Sequence, residues 1–226
     1  MDGGQVYNIE FLCSTFYIKH KIPDSLLKKI KSELEFIRKD TDKQYWNATL
    51  AGAIEEQYNL NTNNASFYDE LEDLVLNICE DTERKQELLN PTTYIAEYNE
   101  VYLESVWINF QKKHEFNPIH THAGDYSFVL FVDIPFDIED EKICKNAIRT
   151  SEKDRSNGVF TFSYPNSASS LPISYQHLNI DRSWEGTMFV FPANLAHCVN
   201  PFYTSNDYRV TISGNILFEF NEEDEE

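Results

Sequence analysis

Three histidines and one arginine are the residues of this chain whose types and spacing indicate chemistry. His120 and His122 stand two positions apart at the edge of a hydrophobic run, His197 follows a second such run, and Arg209 comes twelve residues later. Side chains two positions apart on a strand point the same way, so His120 and His122 can bind one ion together, with His197 supplied by a distant strand. Because imidazole suits iron, zinc, copper and nickel alike, the pattern predicts a metal site without naming the metal.

The last predicted strand separates polar from apolar side chains. Two interpretations of its polar face are open: the solvent side of an edge strand, or the lining of a barrel mouth, where a buried guanidinium needs an anionic partner. The polar face contains Arg209, Thr211, Ser213 and Asn215, and the apolar face contains Val210, Ile212, Gly214 and Ile216.

Helical periodicity dominates the first hundred residues. Pro23-Asp24-Ser25 is a start signal for one amphipathic helix, and a second helix is predicted from about Ser66. From Tyr102 onward the pattern changes to short β-type runs, at Tyr102–Phe110, Tyr126–Ile134, Gly158–Tyr164, Ile173–Ile180, Thr187–Phe191 and Tyr208–Phe220.

These elements predict a mainly β fold with N-terminal helices, in which a sandwich or barrel carries the helices on its outer face. We expect one domain over residues 1–226, with a mostly helical part over 1–100, a β core over 101–220 and an acidic tail over 221–226.

Charge restricts the partners. Nineteen Lys and Arg against 38 Asp and Glu give a net charge of -19, which disfavours nucleic-acid binding. The acidic runs Asp137–Glu141 and Glu222–Glu226 are expected to be solvated. The acidic segment from Asp137 to Asp154 suggests a lid or rim.

No apolar run is long enough for a membrane span, and no basic segment precedes a hydrophobic one at the N-terminus. The four cysteines form no C-x-x-C pair, which favours a reducing compartment. We therefore expect a soluble cytoplasmic protein without a signal peptide. Cys198 should lie on the opposite strand face from His197 and pack rather than bind metal.

Several motifs together resemble the 2-oxoglutarate- and Fe(II)-dependent oxygenase superfamily, specifically its small bacterial and phage-type members that are similar to prolyl-hydroxylase catalytic domains. The resemblance spans about residues 100 to 220. It rests on Trp107-Ile108-Asn109, on Asn117 through His122, on Tyr126 through Pro135, on Gly186 with Phe191-Pro192 and Leu195 through Pro201, and on Arg209 through Asn215.

The resemblance implies a double-stranded β-helix, a cupin-like jelly roll, which holds Fe(II) and uses 2-oxoglutarate and O2. It assigns His120 and His197 to iron, and Arg209 with Thr211 to the far carboxylate of 2-oxoglutarate. Asn109 is a further candidate for the cosubstrate pocket. The implied reaction couples oxidative decarboxylation of 2-oxoglutarate to hydroxylation of a C–H bond, with the metal and cosubstrate ligands as the whole catalytic set.

The chain departs from the superfamily at the second iron ligand. Most members have H-x-D or H-x-E, whereas His122 occupies the acid's position here. Either His122 completes a three-histidine triad, or Asp125 reaches the iron through a turn at Ala123-Gly124. Preserved spacing favours His122 as the ligand.

Two other functions compete with this one: a three-histidine metal dioxygenase that does not use 2-oxoglutarate, and a non-catalytic cupin-like structural or binding protein. Arg209 and Thr211 favour the 2-oxoglutarate enzyme, because the first alternative has no need of a carboxylate fork there. The sequence leaves the substrate open between a protein side chain and a metabolite. The helical N-terminal part suggests either a substrate platform or a homodimer face.

Overall fold

The computed structural model describes residues 15–60, 65–89, 98–145, 156–165 and 173–220. The described helices are α1 Asp24–Lys39, α2 Tyr68–Leu89, α3 Ile138–Ile143 and a short 3-10 helix, Arg182–Trp184. The described strands are β1 Ile18–Lys21, β2 Glu56–Asn59, β3 Tyr98–Gln111, β4 Asn117–His120, β5 Tyr126–Asp133, β6 Phe160–Pro165, β7 Ile173–Leu178, β8 Thr187–Pro192, β9 Ala196–Val199 and β10 Arg209–Phe220.

The strands form two antiparallel sheets. The six-stranded sheet has the order β1-β8-β5-β10-β3-β2, and the four-stranded sheet has the order β4-β9-β6-β7. This arrangement confirms the mainly β class and is consistent with a jelly roll. β10 lies in the interior of its sheet, between β5 and β3, so its polar face is not the solvent side of an edge strand.

The N-terminal hundred residues also contribute strands, which corrects the sequence prediction there. β1 pairs with β8 and β2 pairs with β3, so the two strands form the edges of the six-stranded sheet. Each has four residues, and pairing with a neighbour decides their conformation more than their weak local preference does.

Helices α1 and α2 cover the face of the six-stranded sheet that carries Ile212. The apolar stripe of α1 includes Leu26 and Ile30, which are fully buried in one core with Ile108 of β3. Val75 of α2 joins the same core. Among the described residues, no helix has both the length and the apolar character needed to cross a membrane.

The opposite face of the six-stranded sheet packs against the four-stranded sheet through aromatic side chains. Phe131 and Phe189 of the larger sheet contact Phe160 and Phe162 of the smaller one, with ring centroids 5.8 to 6.1 Å apart. This aromatic core fills one part of the space between the sheets. The other part is an open cavity.

Candidate metal and cosubstrate site

The cavity between the two sheets has a volume of about 490 Å³. One wall is the inner face of β3 and β10, and the opposite wall includes His120 and His197 from the four-stranded sheet. The loop from Trp46 to Ala51 contributes to the lining. All the histidines predicted to bind metal, together with Arg209, Thr211 and Asn109, line this one space.

Two short strands bring the histidines together. His120 ends β4 and lies opposite His197 of β9 in the sheet register. His122 follows β4, and its backbone N–H donates to the Ala193 carbonyl at 2.9 Å. The ligand nitrogens of the three residues all lie within 4.8 Å of one another, and the Nε2 atoms of His122 and His197 are 3.2 Å apart.

Backbone carbonyls orient two of the three rings. Nδ1 of His120 lies 2.7 Å from the Pro118 oxygen, and Nδ1 of His197 lies 3.0 Å from the Leu195 oxygen. Each ring donates its Nδ1–H to that carbonyl, so its Nε2 presents a lone pair toward the cluster. A backbone acceptor on the outer ring nitrogen is the usual support of a metal-bound histidine.

Electrostatics keep the three rings neutral. Burial lowers the pKa of His120, although its hydrogen bond to Pro118 opposes this shift. Burial, followed by repulsion from neighbouring imidazolium groups, lowers the pKa of His122 to about 4 and that of His197 to about 3. At pH 7 the cluster therefore offers unprotonated nitrogens, the form that binds a metal.

Asp125, the alternative iron ligand, lies outside this cluster. Its Oδ2 accepts a hydrogen bond from the Phe218 backbone N–H at 2.8 Å, and its backbone also pairs with Ile216 and Ala193. Asp125 thus fixes the end of β10 against the turn after His122. The structure places His122, and not Asp125, beside the other two histidines.

Arg209 is 1% exposed and is held by uncharged acceptors. Its Nε and Nη2 both donate to Oε1 of Gln111, at 2.9 and 2.7 Å. Nη1 donates to the Gly158 carbonyl at 3.0 Å, and Nη2 also donates to the Asn200 carbonyl at 2.8 Å. Four of the five guanidinium N–H groups thus have acceptors among the described residues. The fifth, on Nη1, can donate to a ligand.

The charge of Arg209 lacks a direct counterion in the described part of the chain, where no carboxylate lies within 4.0 Å of the guanidinium. Burial lowers the pKa of Arg209 to about 9, and the negative charge of Glu141 opposes this shift. The guanidinium therefore remains charged at pH 7. A buried, unpaired cation is costly unless an anion binds beside it, so the cavity wall is suited to a carboxylate ligand.

Thr211 lies next to Arg209 on the same face of β10 and belongs to a short chain of hydrogen bonds. Gln57 Nε2 donates to Asn109 Oδ1 at 2.7 Å, and Asn109 Nδ2 donates to Thr211 Oγ1 at 3.0 Å. Because Thr211 accepts from Asn109, its own hydroxyl proton is directed elsewhere. Asn109 thus orients Thr211, and the hydroxyl is placed to donate to an acceptor in the cavity.

Sequence reasoning missed three residues of this site. Gln111 accepts hydrogen bonds from Arg209, and Gln57 donates one to Asn109. For Gln111 the sequence did contain a signal, because alternation along β3 puts it on the same face as Asn109.

Glu141 was the third. The acidic run Asp137–Glu141 was expected to be solvated, yet Glu141 is fully buried. Its carboxylate accepts hydrogen bonds from the Tyr203 and Thr204 backbone N–H groups and from the Thr204 hydroxyl, at 2.6 to 3.0 Å. Glu141 is therefore a structural support, whereas the other acids of the run, Asp137, Glu139 and Asp140, are exposed as expected. The suggested lid over Asp137–Asp154 extends past residue 145, outside the described residues.

Cys198 lies beside His197, yet it is not part of the histidine cluster. Burial raises the pKa of the Cys198 thiol, and a hydrogen bond with Thr161 opposes this shift. Cys198 thus packs on the other side of β9, as the sequence predicted. The remaining described histidines lie away from the cluster, and His177, for example, contacts Thr161 through Nδ1 at 2.9 Å.

Residues 105–215 match a protein-family model described as "Putative 2OG-Fe(II) oxygenase". The matched segment contains every histidine of the cluster together with Arg209 and Thr211. No curated protein matches the chain.

Solved structures share the fold at low sequence identity. A prolyl-4-hydroxylase from Pseudomonas putida is 10% identical, with a TM-score of 0.52 over 92% of this chain and 94% of that protein. The non-heme alpha-ketoglutarate-dependent epimerase SnoN from nogalamycin biosynthesis is 10% identical, with a TM-score of 0.55 over 90% and 76%. HygX from Streptomyces hygroscopicus, with nickel, 2-oxoglutarate and hygromycin B bound, is 10% identical, with a TM-score of 0.50 over 89% and 82%.

Proposed function

Because the chain belongs to the 2-oxoglutarate- and Fe(II)-dependent oxygenase superfamily, we propose that it couples oxidative decarboxylation of 2-oxoglutarate to hydroxylation of a C–H bond in an organic substrate. One observation carries this proposal. The three-histidine cluster and a buried, uncompensated guanidinium line the same 490 Å³ cavity.

His120, His122 and His197 would hold the metal as three neutral ligands, and the donor set fits Fe(II). Their Nε2 atoms converge and two of their Nδ1 atoms are fixed by backbone carbonyls. When bound, Fe(II) and 2-oxoglutarate supply the oxidising chemistry, in which O2 is consumed and 2-oxoglutarate becomes succinate and CO2. With no carboxylate ligand, the site would keep more positive charge than an H-x-D site.

Arg209 and Thr211 would hold the far carboxylate of 2-oxoglutarate. The remaining Nη1 N–H of Arg209 and the hydroxyl proton of Thr211 supply one hydrogen bond each, and the buried charge of Arg209 gains the anion that it lacks. Asn109 would act through Thr211 as a positioning residue. In this role Asn109 would not contact 2-oxoglutarate itself.

The proposal includes a double-stranded β-helix over residues 101–220 with the N-terminal helices on its outer face. The two antiparallel sheets that enclose the cavity support it, as does the packing of α1 and α2 on the larger sheet. We also propose that residues 1–226 form a single oxygenase domain.

The three-histidine dioxygenase that does not use 2-oxoglutarate is the second candidate. One observation favours it: four N–H groups of Arg209 already have protein acceptors, so a bidentate fork onto a free carboxylate requires one of these acceptors to move. The two candidates differ in whether a keto acid binds the metal.

Anaerobic reconstitution with Fe(II) followed by 2-oxoglutarate tests the proposal. We expect a weak visible charge-transfer band in the native protein, and formation of succinate once O2 is admitted. Thr211→Val should weaken 2-oxoglutarate binding without loss of iron. Bound iron with no band at saturating 2-oxoglutarate would favour the second candidate, and absence of iron binding would favour a non-catalytic cupin-like protein.

A further inference from the structure

Two loop carbonyls accept hydrogen bonds from the outer nitrogens of Arg209. Nη1 donates to the Gly158 carbonyl at 3.0 Å, and Nη2 donates to the Asn200 carbonyl at 2.8 Å. Gly158 lies in the loop before β6, and Asn200 lies in the loop after β9. Because a loop is less rigid than a strand, the direction of the guanidinium depends on what fixes these two loops.

The two loops are bonded to each other. The Gly158 backbone N–H donates to the Pro201 carbonyl at 2.8 Å, and the Asn200 backbone N–H donates to the Val159 carbonyl at 3.0 Å. They therefore form one unit beside Arg209.

Glu141 of α3 joins both parts of this unit. Its carboxylate accepts from the Tyr203 and Thr204 backbone N–H groups and from the Thr204 hydroxyl, in the loop after β9. Its backbone carbonyl accepts from Asn157 Nδ2 at 3.2 Å, in the loop before β6. One fully buried residue thus holds both loops.

Close packing leaves the unit little room to shift. A Cβ at Gly158, whose φ is 68°, would lie 2.7 Å from Phe136 Cε2 and 3.6 Å from Glu141 Cγ. The rings of Phe136 and Phe202 are stacked with centroids 4.9 Å apart, and Cζ of Arg209 lies 5.7 and 5.6 Å from these centroids. Glu141, the aromatic pair and the loops form a packed layer behind the guanidinium.

The position of the Gly158 carbonyl decides where the remaining donor of Arg209 points. Nη1 carries two N–H groups, of which one donates to Gly158 and the other has no acceptor among the described residues. The guanidinium is planar and the directions of its N–H groups are fixed relative to one another. A shift of the Gly158 carbonyl would therefore redirect the second N–H.

We infer that Glu141 is a positioning residue for the cosubstrate: it holds the loops at Gly158 and Asn200 so that the remaining N–H of Arg209 points at the far carboxylate of 2-oxoglutarate. This inference rests on the proposed function, because it assigns that carboxylate to Arg209. Glu141 does not line the cavity, so it acts through the loops and Arg209 and not by contact.

The charge of Glu141 and its hydrogen bonds have opposite effects on anion binding. Its negative charge acts on Arg209, so removal of the charge alone would make the surroundings of Arg209 more positive and favour an anion. Loss of the hydrogen bonds would instead misdirect the donor and weaken anion binding. The sign of the change in affinity therefore separates positioning from a purely electrostatic role.

A comparison of 2-oxoglutarate with 2-oxopentanoate tests the inference. The second compound has the same keto-acid end and a methyl group in place of the far carboxylate. Titration of the charge-transfer band in the anaerobic Fe(II) protein, well below its melting temperature, gives both dissociation constants. Their ratio measures the preference for the far carboxylate.

Glu141→Gln should lower this preference roughly fivefold, the effect of one impaired hydrogen bond. The loss should lie in the affinity for 2-oxoglutarate, with iron stoichiometry and 2-oxopentanoate binding unchanged. Thr204→Val keeps the charge of Glu141 and removes one of its hydrogen bonds, so it should lower the preference by a smaller factor. It decides the matter if Glu141→Gln does not fold.

Two control variants should keep the native preference. Glu139→Gln changes an exposed acid on the same helix. Val75→Ala removes buried volume from the helix-covered core, away from the cavity, and destabilises the protein without touching the loops.

An unchanged or increased preference in Glu141→Gln would overturn the inference, as would an equal decrease in Val75→Ala or an equal loss of affinity for both keto acids. If Glu141→Gln does not fold, an unchanged preference in Thr204→Val would overturn it. In each of these cases the native protein still shows the band with 2-oxoglutarate. Absence of that band in the iron-loaded native protein would overturn the proposed function itself, and this inference with it.

Discussion

The Nε2 atoms of His122 and His197 lie 3.2 Å apart at the wall of the cavity. His197 donates its Nδ1–H to the Leu195 carbonyl, so its Nε2 carries a lone pair toward His122. Without a metal, the neutral His122 ring satisfies this contact by donating its Nε2–H to His197. Because burial keeps both rings neutral at pH 7, a metal ion between them displaces only this one hydrogen bond and no second proton.

His122→Ala should reduce iron binding from one equivalent to well below one, because it removes one of three ligands. Asp125→Ala should keep one equivalent. The free energy of unfolding of Asp125→Ala should still fall by about 1–3 kcal/mol, because the Phe218 N–H loses its acceptor. Metal analysis after anaerobic gel filtration measures the stoichiometry, and His177→Ala serves as a control for loss of a histidine. Full iron in His122→Ala with none in Asp125→Ala would reverse the ligand assignment.

Thr211→Val should raise the dissociation constant for 2-oxoglutarate roughly tenfold, since it removes a hydroxyl donor at nearly constant volume. Thr211→Ser should restore most of the affinity. Titration of the charge-transfer band in the Fe(II) protein gives these constants. If Val and Ser at this position bind 2-oxoglutarate equally, the hydroxyl does not contact the cosubstrate.

Glu141→Gln should destabilise the protein by about 2 kcal/mol, because it weakens charge-assisted hydrogen bonds from Tyr203 and Thr204. For a chain of this size that corresponds to a melting temperature lower by roughly 4–8 °C. Glu139→Gln, on the same helix with a side chain that is 75% exposed, should change it very little. Calorimetry gives the melting temperature of each variant. Equal decreases in the two variants would mean that the buried carboxylate of Glu141 does not stabilise the protein.

Metal-free protein should lose stability as the pH falls from 7 toward 4. The pKa values of His122 and His197 in the folded state, about 4 and about 3, lie below the ordinary value of 6.5, so the folded protein binds fewer protons than the unfolded chain in this window. Their contribution is complete above pH 6.5 and decreases toward the folded-state values. Urea unfolding of the native protein and of His122→Asn should therefore show a shallower decrease for the variant, and parallel curves would contradict the lowered pKa values.

The longer strands could be predicted from their β-type residues and, in β10, from the alternation of polar and apolar side chains. All six predicted β segments occur, as β3, β5, β6, β7, β8 and β10. The division of β10 into a polar face with Arg209 and an apolar face with Ile212 is also confirmed, because Ile212 is buried under the helices and Arg209 lines the cavity.

The strands that hold the histidines could not be predicted in the same way. β4 and β9 have four residues each, and β4 contains Pro118, so their conformation depends on pairing with each other and with β6. Burial of Glu141 depends on contacts with residues more than 60 positions away, which the local pattern of charges does not reveal. The single-domain organisation, the cytoplasmic location and a homodimer stay predictions.

The most direct test of the account is a crystal structure of Fe(II)-loaded protein grown without oxygen, with an anomalous difference map at the iron edge. We predict one peak bound by the Nε2 atoms of His120, His122 and His197, at about 2.1 Å from each. A peak on the carboxylate of Asp125, or no peak among the three imidazoles in protein that contains iron, would contradict it.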